Sequence, residues 1–158
     1  MFMRTLNFIA QNRFFAAVIL AGFVFFQTNV VGMVGEENAQ GKSTWSGIYT
    51  DAQASRGESV YRSSCAVCHG DDLAGSEMGP GLAGSAFLEF WDGLSLGDLL
   101  QVITVSMPQD NPGSLETSEY VDVIAYMLQK SEFPTGSEEL PADQSGLGEF
   151  VISAQEGQ

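Results

Sequence analysis

Cys65, Cys68 and His69 are the residues of this chain best suited to covalent or metal chemistry, and they stand together in the sequence Cys-Ala-Val-Cys-His. The chain contains no other cysteine and no other histidine. Two cysteines three positions apart at a helix end reach two vinyl groups of one porphyrin and form thioether bonds, and the adjacent histidine then directs a ring nitrogen at the iron. The motif therefore predicts one covalently bound haem, held through Cys65 and Cys68, with His69 as an axial ligand of the iron.

Three other kinds of site use closely spaced cysteines, and each fits this chain less well. A structural zinc site normally takes four Cys or His ligands, whereas this chain has only three such residues. A thioredoxin-type redox pair belongs to a βαβ context, and no such pattern surrounds Cys65. A plain disulfide is sterically awkward at this spacing and leaves His69 without a role. Haem attachment is therefore the favoured interpretation.

An electron-carrying haem iron needs a sixth ligand, and a methionine thioether suits this position and raises the reduction potential. Four of the six methionines lie in or before the N-terminal apolar segment or inside an apolar helix: Met1, Met3, Met33 and Met127. Met78 lies only nine positions after His69, a short path to the opposite face of a flat macrocycle. Met107 lies in a loop stiffened by Pro108 and Pro112, before the last predicted helix. Met107 is therefore the predicted sixth ligand, and the alternatives are Met78 or no methionine ligand.

The N-terminal 35 residues have the pattern of an export segment. Residues 1–12 include Arg4 and no acidic residue, and residues 14–26 form an unbroken apolar run. A basic start before an apolar stretch of about 7–15 residues is typical of an export signal. Apolar residues resume at 30–34, so residues 14–34 also approach the ~20 residues that a membrane-spanning helix needs. Residues 1–35 are therefore predicted to be a cleaved signal or a membrane anchor, and both place the rest of the chain outside the cytoplasm.

Composition divides the rest of the chain into three parts. Residues 36–44 are polar and contain Gly and Ser, as in a linker. Residues 45–133 hold the periodic segments and are predicted to form one compact domain. Residues 134–158 are rich in Gly, Pro, Ser and acidic side chains and are predicted to form an irregular acidic tail. Within this tail, the apolar patch at 147–152 is a candidate to dock on the domain.

The compact domain is predicted to be all-α, because its apolar residues recur at helical spacing. Thr50 is the predicted N-cap of the first helix. Ser95 and Asp98 resemble a capping box before a second helix, and a last helix is expected to start near Thr117. Residues 102–105 also fit a short strand, but no second alternating segment exists to pair with them.

The charge balance narrows the range of partners. Six Lys and Arg stand against 20 Asp and Glu, so the formal net charge is −14. A surface of this sign repels nucleic acid and anionic lipid headgroups, which argues against both as partners. The same surface attracts a basic protein face or keeps the protein soluble.

Beyond the motif, residues 45–140 resemble the class I c-type cytochromes, and most closely the small cytochrome domains that accompany quinoprotein (PQQ-dependent) dehydrogenases. The similar segments read GIYTDAQASRGESVYRSSCAVCHGDDLAGS, GPGLAGSAFLEFW, MPQDNPGSL and YVDVIAYMLQ. The resemblance implies an all-α fold in which three to five short helices and long loops enclose one haem c. It also implies that the terminal helices cross near the haem, where Gly57 and Tyr61 on the first meet Tyr126 on the last.

The resemblance implies two further residues of the haem pocket. Pro80, in Gly79-Pro80-Gly81, matches the family proline whose carbonyl accepts the second ring proton of the proximal histidine. Such a bond fixes the orientation of the ring and makes the histidine a better donor. Trp91 is expected to line the pocket or donate to a haem propionate, with packing in the core as the alternative.

Electron transfer is the function that these features predict. With both axial positions filled, the iron changes charge without binding a substrate. The resemblance implies a one-electron carrier or electron-transfer subunit, and not an enzyme in itself, in the periplasm or on the outer face of the cytoplasmic membrane. Its redox partners are expected to be a dehydrogenase or membrane complex on one side and an oxidase on the other. Two alternatives stay open: a catalytic or gas-binding haem protein with an open iron site, and a structural subunit without a redox role.

Overall fold

The structure, a computed structural model, describes residues 42–154. The predicted export signal or anchor at residues 1–35, and most of the predicted linker at 36–44, lie outside the described residues. Between residues 42 and 154, no helix is both long enough and apolar enough to cross a membrane.

Helices make up most of the described structure. In chain order they are α1 (Asp51–Ser64), α2 (Ala66–His69), α3 (Gly84–Trp91), α4 (Leu96–Ser106), α5 (Thr117–Lys130) and α6 (Gln144–Leu147). A 3-10 turn at Thr44–Ser46 precedes α1, and two short strands, β1 (Lys42–Ser43) and β2 (Phe150–Val151), pair in parallel. The prediction of an all-α domain is confirmed, although two of its helices are only about one turn long.

The predicted helix starts are present in the structure. The side chain of Thr50 accepts a hydrogen bond of 3.1 Å from a backbone N–H in the first turn of α1, so Thr50 is the N-cap. Ser95 and Asp98 form the predicted capping box at the start of α4. Helix α4 continues through residues 102–105, so the strand alternative for this segment is wrong. Helix α5 begins at Thr117, as predicted.

Helices α1 and α5 cross with their backbones in contact. A β-carbon on Gly57 would lie 1.8 Å from the carbonyl oxygen of Asp122, closer than any real side chain approaches. Next to this point, the rings of Tyr61 and Tyr126 pack with their centroids 5.6 Å apart. The crossing that the resemblance implies is therefore present. In detail, Gly57 lies against the backbone of Asp122 and Val123, and Tyr61 makes the contact with Tyr126.

Substituting Gly57 with alanine is expected to lower the free energy of unfolding by about 3 kcal/mol, the upper part of the usual range for overpacking a core. The added methyl group meets backbone, which cannot rotate away, so the two helices must separate. Urea denaturation of the holoprotein measures the effect. Ser55→Ala, on the exposed face of the same helix, serves as the control and should stay within about 0.5 kcal/mol of the wild type. An equally small change for Gly57→Ala would contradict the tight crossing.

The backbone of residues 134–154, which we call the C-terminal strap, is irregular outside two short elements, but the segment folds against the domain. The strap contains α6 and β2, and its side chains Leu140, Leu147 and Ile152 are buried. The composition predicts an irregular backbone but does not show how far the segment docks, since three well-spaced apolar side chains suffice to dock a segment that is otherwise polar. The expected docking of the apolar patch at 147–152 is confirmed.

Polar contacts join the strap to α1 and, through Arg56, to α5. The side chain of Gln53 on α1 exchanges two hydrogen bonds with the backbone of Leu140, at 3.3 and 2.9 Å. The guanidinium of Arg56 bonds to Asp122 on α5 and to Glu139 of the strap, at distances between 2.8 and 3.0 Å. The hydrogen bonds from Arg56 lower the pKa of Glu139. Arg56 therefore links α1, α5 and the strap.

The strap also fixes the junction between α3 and α4. The N–H of Gly93 donates to the carbonyl of Ile152 at 2.8 Å, and the N–H of Ile152 donates to the carbonyl of Leu94 at 2.9 Å. At the start of α4, a β-carbon on Gly97 would lie 2.7 Å from the carbonyl oxygen of Gln144 in α6. These contacts hold in place the helix that leads to the predicted sixth ligand.

Candidate haem site

A cavity of about 750 Å³ is lined by residues that all fall between positions 63 and 127. Its volume lies within the range of roughly 300–1,000 Å³ that is typical of ligand and cofactor pockets. The motif, the loop at 78–82, the end of α3, one face of α4, the loop after α4 and part of α5 form its wall. All six predicted site residues line it: Cys65, Cys68, His69, Pro80, Trp91 and Met107.

Two consecutive helical turns present the motif to the cavity. Cys65 lies between α1 and α2 and caps both helices. Its N–H donates to the carbonyl of Tyr61 in α1 at 2.8 Å. The N–H of His69 then donates to the carbonyl of Cys65 at 3.0 Å. Helical spacing of three and four residues puts Cys65, Cys68 and His69 on one side of this turn. Both cysteines are half-buried and His69 is buried.

Burial, followed by the neighbouring Cys68, raises the pKa of the Cys65 thiol to about 11. The thiol is therefore protonated near neutral pH, unlike the low-pKa thiolates of reactive redox pairs. Between residues 42 and 154, no group of three or more His, Cys, Asp and Glu side chains is placed to hold a metal ion.

The ring of His69 is oriented by the backbone of the following loop. Its Nδ1 atom lies 2.8 Å from the carbonyl oxygen of Pro80, the contact that the resemblance implies. Because a carbonyl oxygen can only accept, Nδ1 carries the proton and donates. In the neutral ring, Nε2 then keeps its lone pair and is available as a metal ligand.

Gly79 also shapes the position of His69, and sequence reasoning missed this role. A β-carbon on Gly79 would lie 2.9 Å from both Cε1 and Nδ1 of the His69 ring and 3.0 Å from the carbonyl oxygen of Cys68. A larger residue would therefore displace the imidazole from its contact with Pro80. The signal in the sequence was the glycine directly before Pro80, but which group it approaches depends on the fold.

Met107 and Met78 both line the cavity, in different surroundings. Met107 is half-buried and directly follows α4, where its N–H donates to the carbonyl of Ile103 at 2.8 Å. Met78 lies in the loop that carries Pro80, and 63% of it is exposed. The half-buried thioether of Met107 is the better placed of the two to be held at a metal.

Two aromatic residues complete the wall. Trp91, at the end of α3, is half-buried; it lines the cavity and also packs against the core, so both expected roles agree with its position. Tyr120 in the first turn of α5 is buried, and its hydroxyl donates to the carbonyl of Met107 at 2.6 Å. Sequence reasoning missed Tyr120, because an aromatic residue near a helix start indicates packing and not a particular partner.

Comparison with known proteins identifies the segment that builds this cavity. The family model described as Cytochrome C oxidase, cbb3-type, subunit III matches residues 52–127. Residues 52–127 are therefore similar to a cytochrome c domain. Cytochrome c-551 from Bacillus subtilis (strain 168) is 36% identical over 66 residues, which make up 42% of this chain and 56% of that protein. The chain thus covers little more than half the length of this relative.

A solved structure supports a cytochrome c fold for the described residues. The crystal structure of the sulfane dehydrogenase SoxCD from Paracoccus pantotrophus superposes with a TM-score of 0.52 and 18% sequence identity, over 80% of this chain and 68% of that one. At this identity the similarity concerns the fold alone. Together with the helical architecture, it confirms the expected class I cytochrome c fold.

Cytochrome c domains carry covalently bound haem c, and the residues of this cavity fit that cofactor. The cavity has a suitable volume and contains a pair of cysteines beside an oriented histidine. Much of the remaining wall is apolar, through residues such as Leu99, Val102, Ile103 and Val123. An apolar wall suits a porphyrin, and the one Cys-x-x-Cys-His motif of the chain accounts for one haem.

Proposed function

We propose that this protein transfers single electrons outside the cytoplasm, as a free carrier or as the electron-transfer subunit of a redox complex. The observation that carries the proposal is the convergence of Cys65, Cys68, His69 and Met107 on one cavity, with the His69 ring oriented by the Pro80 carbonyl. Electron transfer is also the activity associated with cytochrome c domains in general.

In this proposal, Cys65 and Cys68 would hold haem c through thioether bonds, and Nε2 of His69 and the sulfur of Met107 would bind its iron. When bound, haem c supplies a one-electron couple between ferric and ferrous iron. With both His69 and Met107 bound to the iron, no position on the metal would be left for a substrate. The Pro80 carbonyl holds the imidazole ring and its Nδ1 proton, which raises the basicity of Nε2.

The apolar wall has a second effect in the same proposal. Side chains such as Leu99, Ile103 and Val123 exclude water from the cavity. A site of low dielectric constant favours the redox state with the smaller net charge, and a thioether favours ferrous iron. Trp91, which lines the cavity from the end of α3, is assigned to this wall.

The proposed partners are redox proteins, and the charge of the domain favours partners with a basic docking face. Four cationic side chains lie in residues 42–154, and three of them, Lys42, Arg56 and Arg62, are in ion pairs with acidic side chains. None of the described residues that line the cavity is Lys or Arg. The matched family model is that of an oxidase subunit, so we propose an oxidase as the acceptor, with a dehydrogenase or membrane complex as the donor. The resemblance to domains of quinoprotein dehydrogenases makes such an enzyme one proposed donor.

The proposed location is the periplasm or the outer face of the cytoplasmic membrane. It is supported by the basic and then apolar sequence of residues 1–35, which serves as a signal or as an anchor through residues 14–34. Covalent haem attachment through a Cys-x-x-Cys-His motif is consistent with such an exported domain.

Carbon monoxide binding to the reduced protein tests the carrier function. Because two protein ligands fill the axial positions, the reduced holoprotein is expected to show a low-spin visible spectrum that carbon monoxide leaves unchanged. A spectrum that shifts at once on addition of the gas would indicate an open iron site and favour a catalytic or gas-binding function. Purified protein that contains no haem after expression with haem-attachment machinery would favour the structural role.

A further inference from the structure

The hydroxyl of Tyr120 makes a contact that the proposed function does not yet explain. It donates to the carbonyl oxygen of Met107 at 2.6 Å, across thirteen positions of sequence. Tyr120 is 3% exposed and lines the cavity from the first turn of α5. The bond therefore joins the residue at the end of α4 to the start of α5, beside the site.

Met107 is held at both ends of its backbone. Its N–H donates to Ile103 at 2.8 Å and continues the hydrogen bonding of α4. Its carbonyl oxygen accepts from Tyr120 at 2.6 Å and from the N–H of Gly113 at 3.3 Å. The second contact is long, so the Tyr120 hydroxyl is the main partner of this carbonyl. Without the hydroxyl, the acceptor would be left with a weak contact, and the start of the loop from 107 to 116 would lose this hydrogen bond to α5.

We propose that Tyr120 is a positioning residue, which fixes the backbone of Met107 so that its thioether stays on the iron. This inference rests on the proposed function, in which Met107 is the sixth ligand. A hydrogen bond to the backbone suits this purpose. A methionine side chain has three rotatable bonds, so the position of its sulfur depends on how firmly its backbone is held.

The test substitutes Tyr120 with phenylalanine in the full-length holoprotein, which removes the hydroxyl and keeps the ring. Losing one such bond shifts a local equilibrium by about threefold to tenfold. The fraction of protein with an open iron position should rise by this factor, measured as the apparent affinity of the reduced protein for carbon monoxide. Amide hydrogen exchange in residues 107–116 should accelerate by a similar factor, and the weak far-red band of a thioether on ferric iron should diminish.

Tyr49→Phe is the matched control. Tyr49 is also buried, and its hydroxyl also donates to a backbone carbonyl at 2.6 Å, that of Phe133. Unlike Tyr120 and Met107, Tyr49 and Phe133 do not line the cavity. Tyr49→Phe should lower thermal stability to a similar extent, without a change in carbon monoxide affinity, in the far-red band or in exchange of the 107–116 loop.

Two results would overturn the inference, and they differ from each other. If the wild type shows the far-red band but Tyr120→Phe behaves like Tyr49→Phe in all of these measurements, Tyr120 only packs, while Met107 remains the ligand. If the wild type lacks the band and Met107→Ala changes nothing, the proposed function fails and the positioning role fails with it.

Discussion

Replacing Met107 with alanine is expected to abolish the far-red band of the oxidised protein, open the iron to carbon monoxide and lower the reduction potential. Without the thioether, water or hydroxide takes the sixth position and stabilises ferric iron. The potential should fall by on the order of 0.1–0.3 V, inside the ~0.8 V range over which axial ligands set haem potentials. Absorption spectra, carbon monoxide titration and a redox titration of the purified holoprotein measure the three effects.

Met78→Ala is the control for this experiment, because Met78 lines the same cavity but is 63% exposed. All three observables should stay near those of the wild type. If the two variants exchange their behaviour, the haem site stands, but the loop at 78–82 supplies the sixth ligand. If neither variant has an effect, no methionine ligand is present and electron transfer through a closed iron site loses its support.

Changing both Cys65 and Cys68 to serine is expected to abolish covalent attachment of the haem. A serine hydroxyl does not form the thioether bonds that the motif provides. After extraction with acidified acetone, the colour of wild-type protein should stay with the precipitated polypeptide. Any haem held by the double variant should move into the organic phase. The yield of coloured protein should also fall about tenfold or more, because only the iron ligands then retain the cofactor.

Ser64→Ala provides the matched control for the cysteine experiment, since Ser64 lies next to the motif and also lines the cavity. Its haem should stay on the polypeptide. Haem that remains attached in the double serine variant would contradict the assignment of both cysteines. Wild-type haem that moves into the organic phase would contradict covalent attachment itself.

Much of the helical framework was predictable, because its signals are local. Thr50 caps α1, and Ser95 and Asp98 cap α4, through side chains that bond to backbone within three residues. The same holds for the Cys-x-x-Cys-His motif, whose chemistry is contained in one helical turn. Such features need no knowledge of which distant segments meet.

The strap and the supporting residues of the site depend on distant segments, and sequence reasoning found them only in part. Leu140 is buried because the strap meets α1 through Gln53, a contact across 87 positions. Gly79 and Tyr120 act on His69 and Met107 only after the loops have folded over the cavity. The choice between Met78 and Met107 could be argued from the sequence only in part. Met78 lies so close to His69 in the chain that Met107 is favoured, but the assignment of Met107 as the ligand stays a prediction.

The pairing of β1 with β2 has a topological consequence. Lys42 lies opposite Phe150, and the N–H of Lys42 donates to the carbonyl of Glu149 at 2.7 Å. The first and last segments of the folded domain at residues 42–154 therefore lie side by side. Units whose ends meet tolerate insertion into a host loop or circular permutation, because their interior contacts are not pulled apart. The cavity is lined only from 63 to 127, well inside those ends. The domain therefore has the topology of a transferable module, one that a single surface loop of another protein can accept with its haem cavity intact.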